Sequence, residues 1–203
     1  MLRDKKQGKE IARFMMVKER HRRTMLRAIA DGKADRQVIP LLKFIASSRD
    51  FFTSSSCSGR ILLLKLDSKG SKAESAFIER WHRQVNFTEF LKAVRNARGN
   101  EIWFKLDPFI LHVGTDSLEN ARRILKTMQV AGVKRGGIIN AKDGKFIVEM
   151  IGTQTISLPI KLRGKMLAEN GYLKWLLAKA NKKLSANYVR LGKLKKAFEA
   201  ELG

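Results

Sequence analysis

The C-terminal stretch constrains the fold more than any other part of the chain. Leu173, Leu177, Ala180, Leu184, Leu191, Leu194 and Phe198 recur at three- and four-residue steps, with lysines on the opposite face. That spacing predicts a long amphipathic helix. Most of the stability of such a helix comes from packing its apolar face, so the rest of the chain must supply an apolar surface. Short strand-like runs meet that need: Phe51–Thr53, Arg60–Leu66, Glu101–Leu106, Phe109–Gly114, Gly136–Asn140, Lys145–Ile151 and Thr155–Ile160. Ala141-Lys142-Asp143-Gly144 is a hairpin signal between two of them. Ser54 to Gly59 reads as a connection between the first two, and residues 67–80 read as a polar loop.

Helical segments alternate irregularly with these strands. Ile11, Phe14, Met15, Met25, Leu26 and Ile29 share one face of a first helix, which Asp31-Gly32 ends. Asp35 is placed to cap a second helix carrying Val38, Leu41, Leu42 and Ile45, with Pro40 shifting its start. Asn86 and Ser117 cap two more, the latter ended by Gly132. No Pro/Gly/Ser linker separates these segments. The expectation is one α+β domain over residues 1–203, with a mixed, largely antiparallel sheet, a basic N-terminal helix and a long basic C-terminal helix.

Charge narrows the function. Forty-two Lys and Arg against 19 Asp and Glu give +23. The excess is clustered: residues 1–27 hold ten basic and three acidic side chains, and residues 174–196 hold eight basic and none acidic. Such a field attracts polyanions, nucleic acid first among them. No apolar run reaches the roughly 18 residues of a membrane span, and no signal region follows the charged N-terminus. With one cysteine there is no internal disulfide framework, so a cytoplasmic protein is expected; a monomer is favoured, although the sequence does not fix the oligomeric state. His21, His82, His112 and Cys57 show no zinc-ligand spacing. Phosphate-loop, dinucleotide, H-E-x-x-H and G-x-S-x-G motifs are absent.

The stretch Ser54-Ser55-Ser56-Cys57-Ser58-Gly59-Arg60 admits three readings. It is a turn with an inert buried cysteine; or a cradle of backbone N–H groups for an anion, closed by Arg60; or a thiol nucleophile acidified by Arg60. His82, in Arg80-Trp81-His82-Arg83, is either a surface residue against Trp81 or a general base. His112 interrupts an apolar strand, where a hydrogen-bonded histidine is the simpler reading.

The run Phe51 to Ile61 closely resembles the signature of the tRNA wybutosine-synthesising protein 3 family. Gly32-Lys33-Ala34-Asp35, Trp81-His82-Arg83 and Trp103 to Val113 resemble further family segments, in the same order. Gly132–Ile138, Leu158-Pro159 and Tyr172 through Asn181 also fit, so the resemblance covers most of residues 11–200. Gly136-Gly137 departs from the family's serine-glycine.

The resemblance implies an S-adenosylmethionine-dependent methyltransferase acting on the N4 ring nitrogen of the tricyclic guanosine beside the anticodon of phenylalanine tRNA. It marks Asp35, His82, Ser55, Ser56, Cys57, Gly59 and Arg60 as site positions, with His112 at a further one on the cofactor side. On this reading Ser55, Ser56 and Arg60 position the cofactor carboxylate or an RNA phosphate. Asp35 or His82 orients the acceptor and takes its proton, and Cys57 lines the pocket or is structural. An aromatic such as Trp81 or Trp103 stacks on the modified base, with core packing the simpler role for Trp103, and the two basic clusters hold tRNA phosphates. An RNA-binding module without methyl transfer and a cysteine-dependent enzyme are the alternatives.

Overall fold

A computed structural model describes residues 2–66, 76–142 and 144–202, without the side chains of residues 2–7 and 9. The chain divides into two compact units. The first holds residues 1–58, 109–153 and 188–203, and the second holds 59–108 and 154–187. The chain therefore changes unit at 58/59, 108/109, 153/154 and 187/188.

The first unit contains α1 (Leu2–Ala30), α2 (Ile39–Ser47) and a four-stranded sheet with α4 (Leu118–Val130). The sheet order is β1-β5-β7-β6, from β1 (Phe51–Cys57), β5 (Ile110–Thr115), β7 (Lys145–Ile151) and β6 (Arg135–Lys142). Every pairing in it is antiparallel. Leu41, Leu42 and Ile45 of the second helix, with Val38 just before it, join Leu111, Val113, Val148, Met150 and Ile124 in one buried core. Leu191, Leu194 and Phe198, from the end of α5 (Asn170–Leu202), complete it. Burying each such side chain contributes about 1.5–3 kcal/mol, which is why the C-terminal stripe is apolar up to Phe198.

The second unit has the sheet order β3-β2-β4-β8-β9, again antiparallel throughout. Its strands are β2 (Arg60–Leu66), β3 (Ala76–Trp81), β4 (Glu101–Asp107), β8 (Ile156–Leu162) and β9 (Lys165–Met166). With them go α3 (Phe87–Asn96) and the first half of α5. In β4 the alternation is strict: Ile102, Phe104 and Leu106 are buried, and the residues between them are half-buried. Phe104 meets Phe90 of α3 edge-on at 5.3 Å, a favoured aromatic geometry.

The α+β class and both basic helices match expectation, but the single mixed sheet becomes two wholly antiparallel sheets among the described strands. The first two strands do not pair with each other. β2 is hydrogen-bonded to β3 on one edge and β4 on the other, so neither edge is open to β1. Of the loop expected over 67–80, residues 67–75 lie outside the described residues and 76–80 belong to β3. The predicted hairpin joins β6 to β7, pairing Lys142 with Lys145. Asp143 of its turn lies outside the described residues.

Two lysines are structural. Lys18 is 9% exposed and donates to the carbonyls of Ser48, Arg49 and Phe51, tying α1 to the entry of β1. Lys161 is 6% exposed and donates to Val94, Arg95 and Ala97, the open carbonyls at the end of α3. An ammonium there satisfies orphan acceptors and complements the helix dipole. Burial lowers the pKa of both. Lys161→Met, which keeps the stem and removes the donors, is expected to lower unfolding free energy by about 1–3 kcal/mol. A urea denaturation midpoint equal to wild type would contradict this role.

Candidate functional site

The serine stretch is strand rather than turn. β1 runs through Ser54, Ser55 and Ser56 to Cys57, and the three serines are exposed. Its register against β5 slips between Thr53, opposite Val113, and Ser55, opposite His112. Ser54 is the extra residue of the resulting bulge, a device that re-aims neighbouring side chains. Beyond Cys57, Ser58 is fully buried, and both its backbone N–H and its hydroxyl donate to Asp35 Oδ2, at 2.7 and 3.0 Å.

Asp35 is thus not a helix cap. The N-cap of α2 is Val38 in a helical conformation with no side-chain bond, and Pro40 occupies the first turn. Asp35 stands three residues ahead of that N-cap, which leaves its carboxylate for Ser58. A carboxylate oxygen of Asp35 also lies within 4.8 Å of Cys57 Sγ. Tyr188 shares this environment. Burial first, then the negative charge of Asp35 and the proximity of Cys57, push its phenol up to about 12. At neutral pH it keeps its proton and is a hydrogen-bond donor, not a base.

A second cluster of the first unit crosses its sheet. Ser55 faces His112 across β1–β5, and His112 faces Glu149 across β5–β7. His112 Nε2 and Glu149 Oε2 are 2.9 Å apart, with side chains 22% and 23% exposed. His112 is therefore a carboxylate-oriented imidazole at a half-open sheet face. On the next strand Gly136 adopts φ +131, and a Cβ there would stand 2.0 Å from the Glu149 carbonyl oxygen. In this chain a glycine at 136 is a steric requirement, which accommodates its departure from the family's serine.

The second unit presents Gly59 and Arg60. Gly59 has φ +96, and a Cβ would meet Asn187 Nδ2 at 2.6 Å and the Asp107 carbonyl at 3.2 Å. Only glycine fits such a position without strain. Asn187 is 1% exposed, and neither its amide nitrogen nor its oxygen has a partner among the described residues. Arg60 Nε donates to Asp107 Oδ2 at 2.9 Å, and its guanidinium lies 5.2 Å from the Phe77 ring. The arginine read as closing an anion cradle is therefore a guanidinium already oriented by a carboxylate.

His82 also belongs to the second unit, on the loop between β3 and α3. Helix α5 anchors that loop: Asn181 exchanges two hydrogen bonds with the Val85 backbone, at 3.0 and 2.8 Å. Gln84 adds another, to Ser185 at 2.7 Å. Trp81 is 6% exposed and donates its indole N–H to Glu89, so it is a core residue, not the expected base-stacking platform. Trp103 is half-buried and donates to Glu101.

The structure thus groups Asp35, Cys57 and Ser58 in one place and Ser55 with His112 in another. Ser56 follows one step along the same strand, opposite Leu111. Five contributors escaped the sequence reading: Ser58, Asp107, Glu149, Asn187 and Tyr188. Asn187 had a legible signal, since it falls on the apolar stripe of α5, three residues after Leu184 and four before Leu191. Glu149 and Asp107 become partners only through strand register, and nothing local distinguishes Tyr188.

Comparison with known proteins closes on one family. The family profile described as "Methyltransferase TYW3" matches residues 13–200. The tRNA(Phe) 7-((3-amino-3-carboxypropyl)-4-demethylwyosine(37)-N(4))-methyltransferase 1 of Thermococcus kodakarensis is 32% identical over 186 residues, covering 92% of this chain and 94% of that protein. The corresponding methyltransferase of Archaeoglobus fulgidus is 33% identical over 189 residues, 91% of this chain and 95% of its own. Among solved structures, the PH1069 protein of Pyrococcus horikoshii superposes with a TM-score of 0.85 at 30% identity, covering 92% of this chain and 96% of that one. The chain belongs to the TYW3 methyltransferase family.

Proposed function

We propose that this protein is an S-adenosylmethionine-dependent methyltransferase that methylates the N4 ring nitrogen of the aminocarboxypropyl wyosine-type guanosine beside the anticodon of phenylalanine tRNA. The observation that carries the reading is the pair of hydrogen bonds from Ser58 to Asp35. They fix the aspartate of one family motif to the serine stretch of another, two segments 23 residues apart in sequence. The reading treats residues 1–203 as one functional domain, because the chain passes repeatedly between its two units. It acts as a cytoplasmic monomer, and no described helix is long and apolar enough to cross a membrane.

The residues present fit the cofactor. A buried amide with unfilled donor and acceptor capacity lies beside a glycine that no side chain can replace. Exposed serine hydroxyls and the guanidinium of Arg60 complement a carboxylate-bearing polar ligand. S-adenosylmethionine supplies, when bound, an electrophilic methyl on a sulfonium. Gly59, Arg60, Ser55, Ser56 and His112 are the proposed cofactor-side residues. Much of the acceleration in such a displacement comes from orientation, and neither a metal nor an enzyme-bound intermediate is needed.

The acceptor nitrogen must give up a proton. Asp35 already accepts two bonds from Ser58, so it positions the strand end, and His82 is assigned the proton. Tyr188 keeps its proton, so it is available as a donor and not as the base. Cys57 lines this region without a chemical step of its own.

Phenylalanine tRNA lacking the final methyl, incubated with protein and S-adenosylmethionine, is expected to gain one methyl group by mass spectrometry. An unchanged mass would reject the reading. Arg60→Ala is expected to raise KM for the cofactor about tenfold, the loss of one charge-assisted contact. Cys57→Ala is expected to retain methyl transfer, whereas complete loss with the fold intact would assign the chemistry to the thiol. In a spectrophotometric titration the wild type is expected to show a phenolate step near pH 12 that Tyr188→Phe removes. Because the folded pKa lies above the ordinary 10.0, this residue's contribution to stability is intact below pH ~10 and declines as pH rises toward ~12.

A further inference from the structure

Helix α5 turns one face inward in the second unit, with Leu173, Leu176, Leu177, Ala180 and Leu184 buried. Its opposite face, at spacings of three and four, carries Tyr172, Trp175, Lys179 and Lys182, all exposed. Tyr172 is 46% and Trp175 54% exposed, although both rings are large and apolar. Their centroids are 5.8 Å apart with planes inclined by 32°, and the Lys179 ammonium lies 5.4 Å from the Trp175 centroid. Two adjacent aromatics on the solvent face of a helix are not needed for its packing. They point to a partner.

Charge identifies the partner's chemistry. No carboxylate occurs from Asn170 to Phe198, and Lys174 also projects from this exposed stretch. A second copy of this chain would set these lysines against one another, whereas RNA supplies phosphates for the ammoniums and planar bases for the rings. Resting on the tRNA-methyltransferase reading above, we infer that Tyr172 and Trp175 form a platform on which an unpaired base of the substrate tRNA stacks. Lys174, Lys179 and Lys182 bind the flanking phosphates. Trp175 replaces the buried Trp81 as the stacking tryptophan.

The two contact types separate by salt dependence. Stacking is insensitive to counterion release, while each phosphate contact contributes close to one unit of slope in log K against log salt. Binding of phenylalanine tRNA is measured across a salt series for wild type, Trp175→Ala, Trp175→Phe and Lys179→Gln. Trp175→Ala is expected to weaken binding about tenfold at every salt with the slope unchanged, and Trp175→Phe to restore most of it. Lys179→Gln is expected to lower the slope by about one.

Trp175→Ala binding as tightly as wild type, in protein that still methylates tRNA, would overturn the platform and leave the enzyme reading standing. Trp175-dependent binding without any methyl gain would support the platform and reject the enzyme reading. A wild-type dimer that Trp175→Ala dissociates would also overturn the platform, because the face would then be a self-association surface.

Discussion

The carboxylate of Asp35 decides where β1 ends. By taking both the N–H and the hydroxyl of Ser58, it satisfies a fully buried polar residue. Left unpaired, each of those donors would cost about 1–3 kcal/mol. With Ser58 fixed, the chain reaches Gly59 at φ +96 and enters β2, a strand of a different sheet. A hairpin turn could also use a glycine with positive φ, but it would not need the aspartate. The same two residues that end the strand therefore divide the serine stretch, with Ser55, Ser56 and Cys57 on one strand and Arg60 at the start of the next.

Basic charge in this protein performs two different tasks, and their magnitudes differ. Lys18 and Lys161 are buried and bind three carbonyls each, so their removal costs stability. Arg190 donates to the Ala131 carbonyl at 2.6 Å, tying α5 to the C-terminal end of α4. Arg22 and Arg23 flank Glu19 on the surface of α1, holding its carboxyl down to about 2. Exposed pairs of that kind contribute little to folding. Part of the net charge of +23 is therefore already engaged within the fold.

Elements with a strong internal period were legible in the chain. The α5 stripe, the Asn86 and Ser117 caps and the β6–β7 hairpin all stand as read. Misreadings came where long-range partners outweighed local signals. Asp35 sits at a plausible capping distance from α2, yet a buried serine offered it two donors instead. Serine and glycine suggest a turn, but β5 supplied a pairing edge that drew Ser54–Cys57 into a strand. Strand register, invisible locally, made the His112–Glu149 and Arg60–Asp107 pairs. Trp81 looked available because of its polar neighbours, but Glu89 and Phe90 hold it in the core. The family motifs marked candidate site residues; they did not indicate which of those residues are already engaged by partners within the fold.

The proposed cofactor contacts in the second unit are Gly59, Arg60 and the Asn187 amide. A crystal structure with S-adenosylhomocysteine tests them most directly. The ligand is expected against Gly59, with its polar groups in contact with Arg60 or the Asn187 amide. A ligand bound away from residues 55–60 and 187, with that amide still lacking a partner, would contradict them.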